Sequence, residues 1–130
     1  MFTHEKGDTK TVYRPRPAST VFSVGEVVAY NGLGQVEPAV AGDTEILGVC
    51  KEAVTSADDD YATANVLVAI QVPSELHVEW EADTSSAVAA DIGGDVDLTD
   101  SETVDRAATL TGVVRIVEVD SADKVTVELN

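Results

Sequence analysis

Short segments of alternating or β-branched residues fill the chain from Thr20 onward, and this pattern most restricts its fold. Strands do not alternate with long helical segments, which excludes a parallel, doubly wound sheet. The sequence therefore predicts a small, compact, mainly β domain of barrel-like or sandwich-like form, with one short helix. The predicted strands cover residues 20–24, 26–30, 35–37, 46–54, 61–72, 75–81, 95–98, 110–119 and 124–129.

Local signals place the turns and the core of this domain. Residues 31–34, Asn-Gly-Leu-Gly, suit a tight turn, and Pro38 should end the return strand of that hairpin because it cannot donate a ladder hydrogen bond. Residues 66–70 are apolar on both faces, which predicts the central core strand. Tyr30 and Trp80 fall on inward-facing strand positions.

A single helix is predicted over residues 84–91. The segment is rich in alanine, Asp83 can cap its first turn, and Gly93 can end it with a left-handed residue. Cys50 lies in an apolar strand and is the only cysteine, so no intrachain disulfide can form and a buried thiol is expected.

Charge is distributed unevenly along the chain. Residues 1–17 hold half of the eight basic side chains and carry about +2, whereas the remainder carries about −18, for a net charge of −16. Pro15 and Pro17 remove backbone donors and favour extended conformations before them. These features predict an extended N-terminal arm over residues 1–20, which adds little to the core, followed by a β-rich domain over residues 21–130.

The acidic composition excludes several partners. A body of this charge repels phosphate, so we expect no nucleic-acid partner and no anionic-membrane role. The longest apolar run is too short to cross a bilayer, and the first residues are too polar for a signal peptide. The chain is therefore expected to be soluble and made in a cytoplasm.

No catalytic constellation is recognisable, and no enzyme activity or cofactor is predicted. His4 lies in the basic segment and His77 lies between glutamates, without a nucleophile elbow. The glycines near Leu33 fit a turn better than a dinucleotide-binding loop. Two acidic clusters could in principle bind calcium, but solvated loops are favoured because no EF-hand spacing is present: residues 58–60, and Asp95, Asp97, Asp100 and Glu102.

Residues 25–54 carry a resemblance to a known family. The succession Glu-Val-Val-Ala-Tyr-Asn-Gly at 26–32, Pro-Ala-Val-Ala-Gly-Asp at 38–43 and Ile-Leu-Gly-Val at 46–49 resembles the capsid decoration, or cement, proteins of tailed bacteriophages. The resemblance implies a β-tulip-like domain that stabilises the expanded capsid without catalysis, as a homotrimer at three-fold or quasi-three-fold positions. It also implies that the N-terminal arm lies along the major capsid protein, on the outer surface of the virion.

These expectations assign residues to two contacts. The capsid-binding arm would use Lys6, Lys10, Tyr13, Arg14 and Arg16, with the two arginines suited to bidentate pairing with capsid carboxylates. Pro38, Ala39 and Val40 form an apolar stretch that could contact another subunit. Two alternatives remain open from the sequence: an acidic DNA mimic that inhibits a DNA-binding protein, and a calcium-dependent adhesion or fibre module.

Overall fold

The structure is a computed structural model that describes residues 1–130, and it consists of two antiparallel sheets. One sheet has six strands in the order β1-β7-β11-β10-β8-β9, and the other has five in the order β2-β6-β5-β3-β4. The predicted mainly β, sandwich-like fold class is confirmed. The strands are β1 (Thr3–Lys6), β2 (Thr9–Pro15), β3 (Val27–Tyr30), β4 (Val36–Pro38), β5 (Ile46–Cys50), β6 (Leu67–Pro73), β7 (Glu79–Asp83), β8 (Asp95–Leu98), β9 (Val104–Asp105), β10 (Val114–Ser121) and β11 (Lys124–Leu129).

The larger of two hydrophobic clusters contains 17 buried residues and includes side chains of both sheets. Val27 and Val49 of the five-stranded sheet share it with Trp80, Val114 and Val127 of the six-stranded sheet. Trp80 is only 1 % exposed, as its inward-facing position predicted, and its ring makes an edge-on contact with His4 at 5.3 Å between centroids. Burial of this apolar surface supplies the main driving force for joining the two sheets.

A second cluster of eight buried residues lies on the opposite face of the five-stranded sheet. Val28, Val68 and Ile70 point into it from the strands, and Phe22 and Val54 cover it from loops that meet in an isolated bridge. Two contacts between distant parts of this sheet show that it curls around the cluster. Arg14 Nε lies 3.4 Å from the Tyr30 hydroxyl, and Gln35 Nε2 donates to Asn65 Oδ1 at 3.0 Å.

Both predicted hairpins are confirmed. β3 pairs with β4 around the turn at residues 31–34, and β10 pairs with β11 at the end of the chain. Other boundaries differ from the prediction, because residues 20–24 make only the bridge of Phe22 and β6 begins at Leu67. Strand β6 is second in its sheet rather than central, and Leu67 is 54 % exposed. Tyr30 is also exposed rather than buried.

The predicted helix is reduced to one 3-10 turn, Ala89–Asp91. Asp83 does not cap it, because its carboxylate instead accepts hydrogen bonds from Lys124 Nζ and the Met1 amino group. Residue 84 is held elsewhere by the bond from its hydroxyl to the Val104 carbonyl. These tertiary contacts override the helical propensity of the alanines. Gly93 does have the expected left-handed conformation, with φ +87°.

The first fifteen residues are part of both sheets, which differs from the predicted separate arm. Strand β1 pairs with β7, and β2 pairs with β6 over seven consecutive residues. Phe2 is 2 % exposed and belongs to the larger core cluster. Strand β2 tolerates Pro15 because this residue is its last and its nitrogen faces away from β6, so no ladder hydrogen bond is lost.

Cys50 is buried, as predicted, at the end of β5. Its Sγ donates a hydrogen bond to the Glu52 carbonyl at 3.0 Å. Burial raises the pKa of the thiol to about 11, and the neighbouring carboxylates of Glu26 and Glu52 act in the same direction. A thiol with this pKa is almost entirely protonated at neutral pH and is a poor nucleophile.

Candidate partner-binding surface on strand β2

Strand β2 is an edge strand with an open row of backbone groups. The Arg16 N–H donates to the Val66 carbonyl, and the Ser74 N–H donates to the Asp8 carbonyl. The backbone N–H and C=O groups of the even-numbered residues in this segment therefore point toward β6. Backbone groups alternate along an antiparallel strand. The N–H groups of Thr9, Thr11 and Tyr13 therefore point away from β6, on the side where no other strand pairs with β2.

The other three sheet edges are short or irregular. β1 has four residues and a register shift between His4 and Lys6, β4 has three residues and ends at Pro38, and β9 has two residues. Proteins commonly shorten, bulge or interrupt their edges in these ways to prevent pairing with other chains. Strand β2 has seven residues in continuous register and is the one long, regular edge of the molecule.

The basic side chains without a carboxylate partner cluster on this strand. Five of the eight lysines and arginines lie within 4 Å of a carboxylate oxygen. The remaining three are Lys10 and Arg14 on β2 and Lys51 beside it. The chain has 24 carboxylate side chains for eight basic ones, so a random arrangement of charges would leave few cations without a carboxylate nearby. Their common location marks β2 as a basic strip on an acidic protein.

The three cations flank the open edge on both faces of the sheet. Lys10 and Arg14 share the face of Val12, whereas Lys51 Nζ lies over the opposite face and donates to Thr11 Oγ1 at 2.9 Å. Arg14 donates to the carbonyl of Tyr13 at 3.0 Å, an interaction that leaves the charge of its guanidinium uncompensated. We call Lys10, Thr11, Tyr13, Arg14 and Lys51 the β2 surface.

An exposed apolar patch adjoins these charges. Tyr13 is 59 % exposed and Leu67 is 54 % exposed. The two side chains lie on the same sheet face, because Leu67 pairs with Pro15, two residues after Tyr13. An amphipathic tyrosine beside cations is the kind of residue that is enriched at protein interfaces. The β2 surface therefore combines open backbone, unpaired positive charge and exposed apolar area.

The structure brings together three of the five residues predicted to contact a capsid. Lys10, Tyr13 and Arg14 lie on the β2 surface, whereas Lys6 lies on β1 and its Nζ is 3.8 Å from a carboxylate oxygen of Glu79. Lys51 was missed, because it is 37 residues from Arg14 and the register of the sheet, rather than any motif, places it next to Thr11.

Arg16 is buried, so its predicted role in capsid contact is wrong. Its side chain is 1 % exposed. The guanidinium donates to the carbonyls of Pro17, Tyr61 and Thr63 and to both the carbonyl and the carboxylate of Asp60. These bonds tie the loop before β6 to the end of β2. Arg16 is therefore a structural residue. The sequence could not distinguish it from Arg14, because each arginine precedes a proline in the same basic segment.

The predicted subunit contact is also divided. Ala39 is 2 % exposed, belongs to the larger core cluster and donates its N–H to the Val27 carbonyl. Pro38 is partly buried at the end of β4, and only Val40, at 60 % exposure, is freely accessible. Ala39 was therefore wrongly predicted as a contact residue, because the stretch crosses from a strand end into the core.

The carboxylates of the second acidic cluster are engaged within the chain. Asp97 is 7 % exposed and accepts hydrogen bonds from the backbone of Leu110, Thr111 and Gly112 and from the Thr111 hydroxyl. Burial alone would raise the pKa of Asp97, but these donors lower it overall. The Arg115 guanidinium, aided by Asn130, lowers the pKa of Asp95. No group of three or more metal-ligating side chains converges anywhere in the chain.

Neither histidine has a nucleophilic side chain as its hydrogen-bond partner. His77 is exposed, and its Nδ1 lies 3.0 Å from Glu128 Oε1 at the side of a shallow cavity of about 380 Å³. The apolar part of the cavity lining is formed by Pro73, Leu76, Val78 and Leu129. His4 Nε2 lies 2.7 Å from the Gly7 carbonyl.

Comparison with known proteins leaves the family undetermined. No protein-family model matches the chain, and no curated protein matches it either. None of its helical segments is long and apolar enough to cross a membrane. The chemistry of the β2 surface is therefore the main guide to function.

Proposed function

We propose that this protein is a non-enzymatic capsid decoration protein of a tailed bacteriophage, which binds the major capsid protein on the outer surface of the assembled, expanded shell. The observation that carries the proposal is the placement of all three unpaired cations at β2: Lys10 and Arg14 lie on this edge strand, and the Lys51 side chain reaches Thr11 from the end of β5. Unpaired charges on an interaction surface are compensated when a complementary partner binds.

The resemblance seen in residues 25–54 supports the same proposal. That segment forms β3, β4 and β5, which are consecutive in the five-stranded sheet next to β6 and β2. Residues 25–54, which carry the resemblance, and the β2 surface are therefore parts of one sheet.

A decoration protein of this kind acts mechanically and by mass action. Because it binds the assembled shell and not free capsid subunits, it shifts the equilibrium toward the intact shell. Many copies that each contact neighbouring subunits also raise the barrier to rupture. A homotrimeric arrangement belongs to this proposal and rests on the resemblance alone.

The proposal assigns capsid attachment to residues that are exposed at β2. Lys10, Tyr13 and Arg14 remain the primary contacts, and Lys51 joins them. Arg16 would act indirectly, because its bonds to the carbonyls of Asp60, Tyr61 and Thr63 fix the end of β2. Lys6 is exposed on β1, in the other sheet, and would add a peripheral charge.

Co-sedimentation with expanded, undecorated shells tests the proposal. We expect wild-type protein to sediment with the shells and the K10E/R14E/K51E variant to lose at least about tenfold in affinity, because three attractions become repulsions. The matched control is K10R/K51R, which keeps all three charges, leaves Arg14 in place and should bind within about threefold of wild type. Circular dichroism verifies that each variant is folded. Equal occupancy of the charge-reversed and wild-type proteins on the shells would contradict attachment through β2.

A further inference from the structure

The open edge of β2 also specifies the form of what binds to it. We infer that β2 receives an extended, acidic segment of the partner as an added antiparallel strand. The partner's identity as a capsid subunit rests on the proposed function, whereas the chemistry of the segment follows from the edge itself.

The backbone of β2 can form a ladder once the Arg14 guanidinium, which bonds the outward carbonyl of Tyr13, turns to an incoming carboxylate. Thr9, Thr11 and Tyr13 present outward N–H groups at intervals of two residues, about 7 Å apart. The five strands of this sheet pair only in antiparallel fashion, so an incoming antiparallel strand would continue the existing twist and register. Main-chain hydrogen bonds supply affinity in such strand additions, and side-chain contacts supply selectivity.

The cations define a pattern of acidic residues in the incoming strand. In an antiparallel pair, residues directly opposite each other share a sheet face. If the partner residue opposite Arg14 is numbered i, those opposite Thr11 and Lys10 are i+3 and i+4. Carboxylates at i and i+4 would meet Arg14 and Lys10, and one at i+3 would meet Lys51, which lies on Thr11. An apolar residue at i+1 would lie opposite Tyr13.

The same charges explain why this regular edge does not recruit unsuitable strands. Lysine on an edge strand opposes pairing with apolar strands, since the approaching chain would bury the charge without a partner. A strand with acidic residues at the three specified positions removes that penalty. The edge is therefore selective as well as open.

Amide hydrogen exchange of the full-length protein, read residue by residue by NMR, tests the inference. The probe is a synthetic peptide of about eight residues with the sequence Thr-Glu-Val-Thr-Glu-Glu-Thr-Val, a typical strand length. In the free protein we expect the amides of Lys10, Val12 and Arg14 to be protected by β6 and those of Thr9, Thr11 and Tyr13 to exchange rapidly. Saturating peptide should slow exchange at Thr9, Thr11 and Tyr13 by at least about tenfold.

Two matched controls separate strand addition from general attraction. A peptide with glutamine at the three glutamate positions should bind at least about tenfold more weakly, because it lacks the charge-assisted contacts. The K10E/R14E/K51E protein should lose the protection, and K10R/K51R should retain it. The charge-conserving variant also verifies that positions 10 and 51 tolerate substitution.

The possible outcomes distinguish this inference from the proposed function. Peptide binding without new protection at Thr9, Thr11 and Tyr13, or no binding at all, would overturn strand addition. If the protein nevertheless sediments with shells in a charge-dependent manner, the decoration role stands. If the three amides become protected but the protein does not bind shells, strand addition stands and the capsid assignment fails.

Discussion

Charged side chains are compensated within the chain at the loop over residues 107–113, but not on strand β2. The buried carboxylate of Asp97, on β8, accepts hydrogen bonds from four donors of that loop. On β2, Lys10, Arg14 and Lys51 have no carboxylate partner, although carboxylates outnumber basic side chains three to one. A charge compensated internally holds the fold together, whereas one left uncompensated at an open edge is available to another molecule.

Arg14 and Arg16 show the same contrast two residues apart. Both extend from the end of β2, and both carry a full positive charge. The Arg16 guanidinium is surrounded by carbonyls of the chain, whereas the Arg14 guanidinium reaches only its neighbouring carbonyl and a tyrosine hydroxyl. The difference predicts separate effects of substitution on stability and on binding.

The largest expected effect follows deletion of residues 1–16, which removes β1, β2, Phe2 and Arg16. The loss of two strands and part of the core should exceed about 5 kcal/mol, comparable with the entire stability of a small domain, and should leave the remainder unfolded. Circular dichroism and thermal melting measure this. As a control, K10A/R14A/K51A should change stability by no more than about 0.5 kcal/mol per site. A truncated protein that melts cooperatively near the wild-type temperature would show that the segment is dispensable.

A smaller but still large effect is expected for Arg16→Met. The substitution leaves the carbonyls of Asp60, Tyr61 and Thr63 without their donor, which should reduce the free energy of unfolding by about 3 kcal/mol. Arg14→Met is the matched control and should cost less than about 0.5 kcal/mol, because it removes no buried hydrogen bond. Urea unfolding measures both. Equal destabilisation by the two substitutions would contradict the internal role assigned to Arg16.

Asp97→Asn should have the smallest of the three effects, about 1–2 kcal/mol at neutral pH, because it removes charge-assisted hydrogen bonds but keeps one acceptor. The pKa of Asp97 is lowered in the folded protein from an ordinary value of 3.8. Its contribution to stability is therefore complete above that value and is lost as the pH falls through the lower, folded pKa.

Urea unfolding as a function of pH measures this linkage. The difference in stability between wild type and Asp97→Asn should be constant from about pH 7 to pH 5 and should shrink below about pH 4. Asp59→Asn is the control, since Asp59 is exposed and makes no hydrogen bond through its side chain. A stability difference that does not change with pH would refute the assignment of these bonds to an ionised carboxylate.

Much of the fold could be predicted because local signals and tertiary structure agree. The turn at residues 31–34 and the alternation in residues 114–129 each specify a hairpin whose partners are adjacent in sequence. Trp80 was assigned to the interior because its segment alternates regularly, and Cys50 because it lies in a continuous apolar run. The prediction of the short helix was wrong because local and tertiary signals disagree there. Asp83 and Thr84 are bonded to Lys124 and Val104, which lie 41 and 20 residues away.

The candidate site was predicted only in part. The basic composition of the first residues predicted Lys10 and Arg14 as contact residues. It could not predict that Arg16 is buried, because burial depends on which loop covers each side chain. Lys51 joins the surface only through the pairing of β5 with β6 and β6 with β2. The register of a sheet brings together residues that no local motif connects.

The pairing of the first two strands also determines when the chain can fold during synthesis. Strand β1 requires residues 79–83 and β2 requires residues 67–73, so neither has a partner until more than half of the chain has left the ribosome. A fold dominated by such distant pairings forms slowly, because loop closure must precede the contacts that compensate for it. The β2 segment therefore has no partner strand during that interval, when charges such as those of Lys10 and Arg14 oppose pairing with other chains.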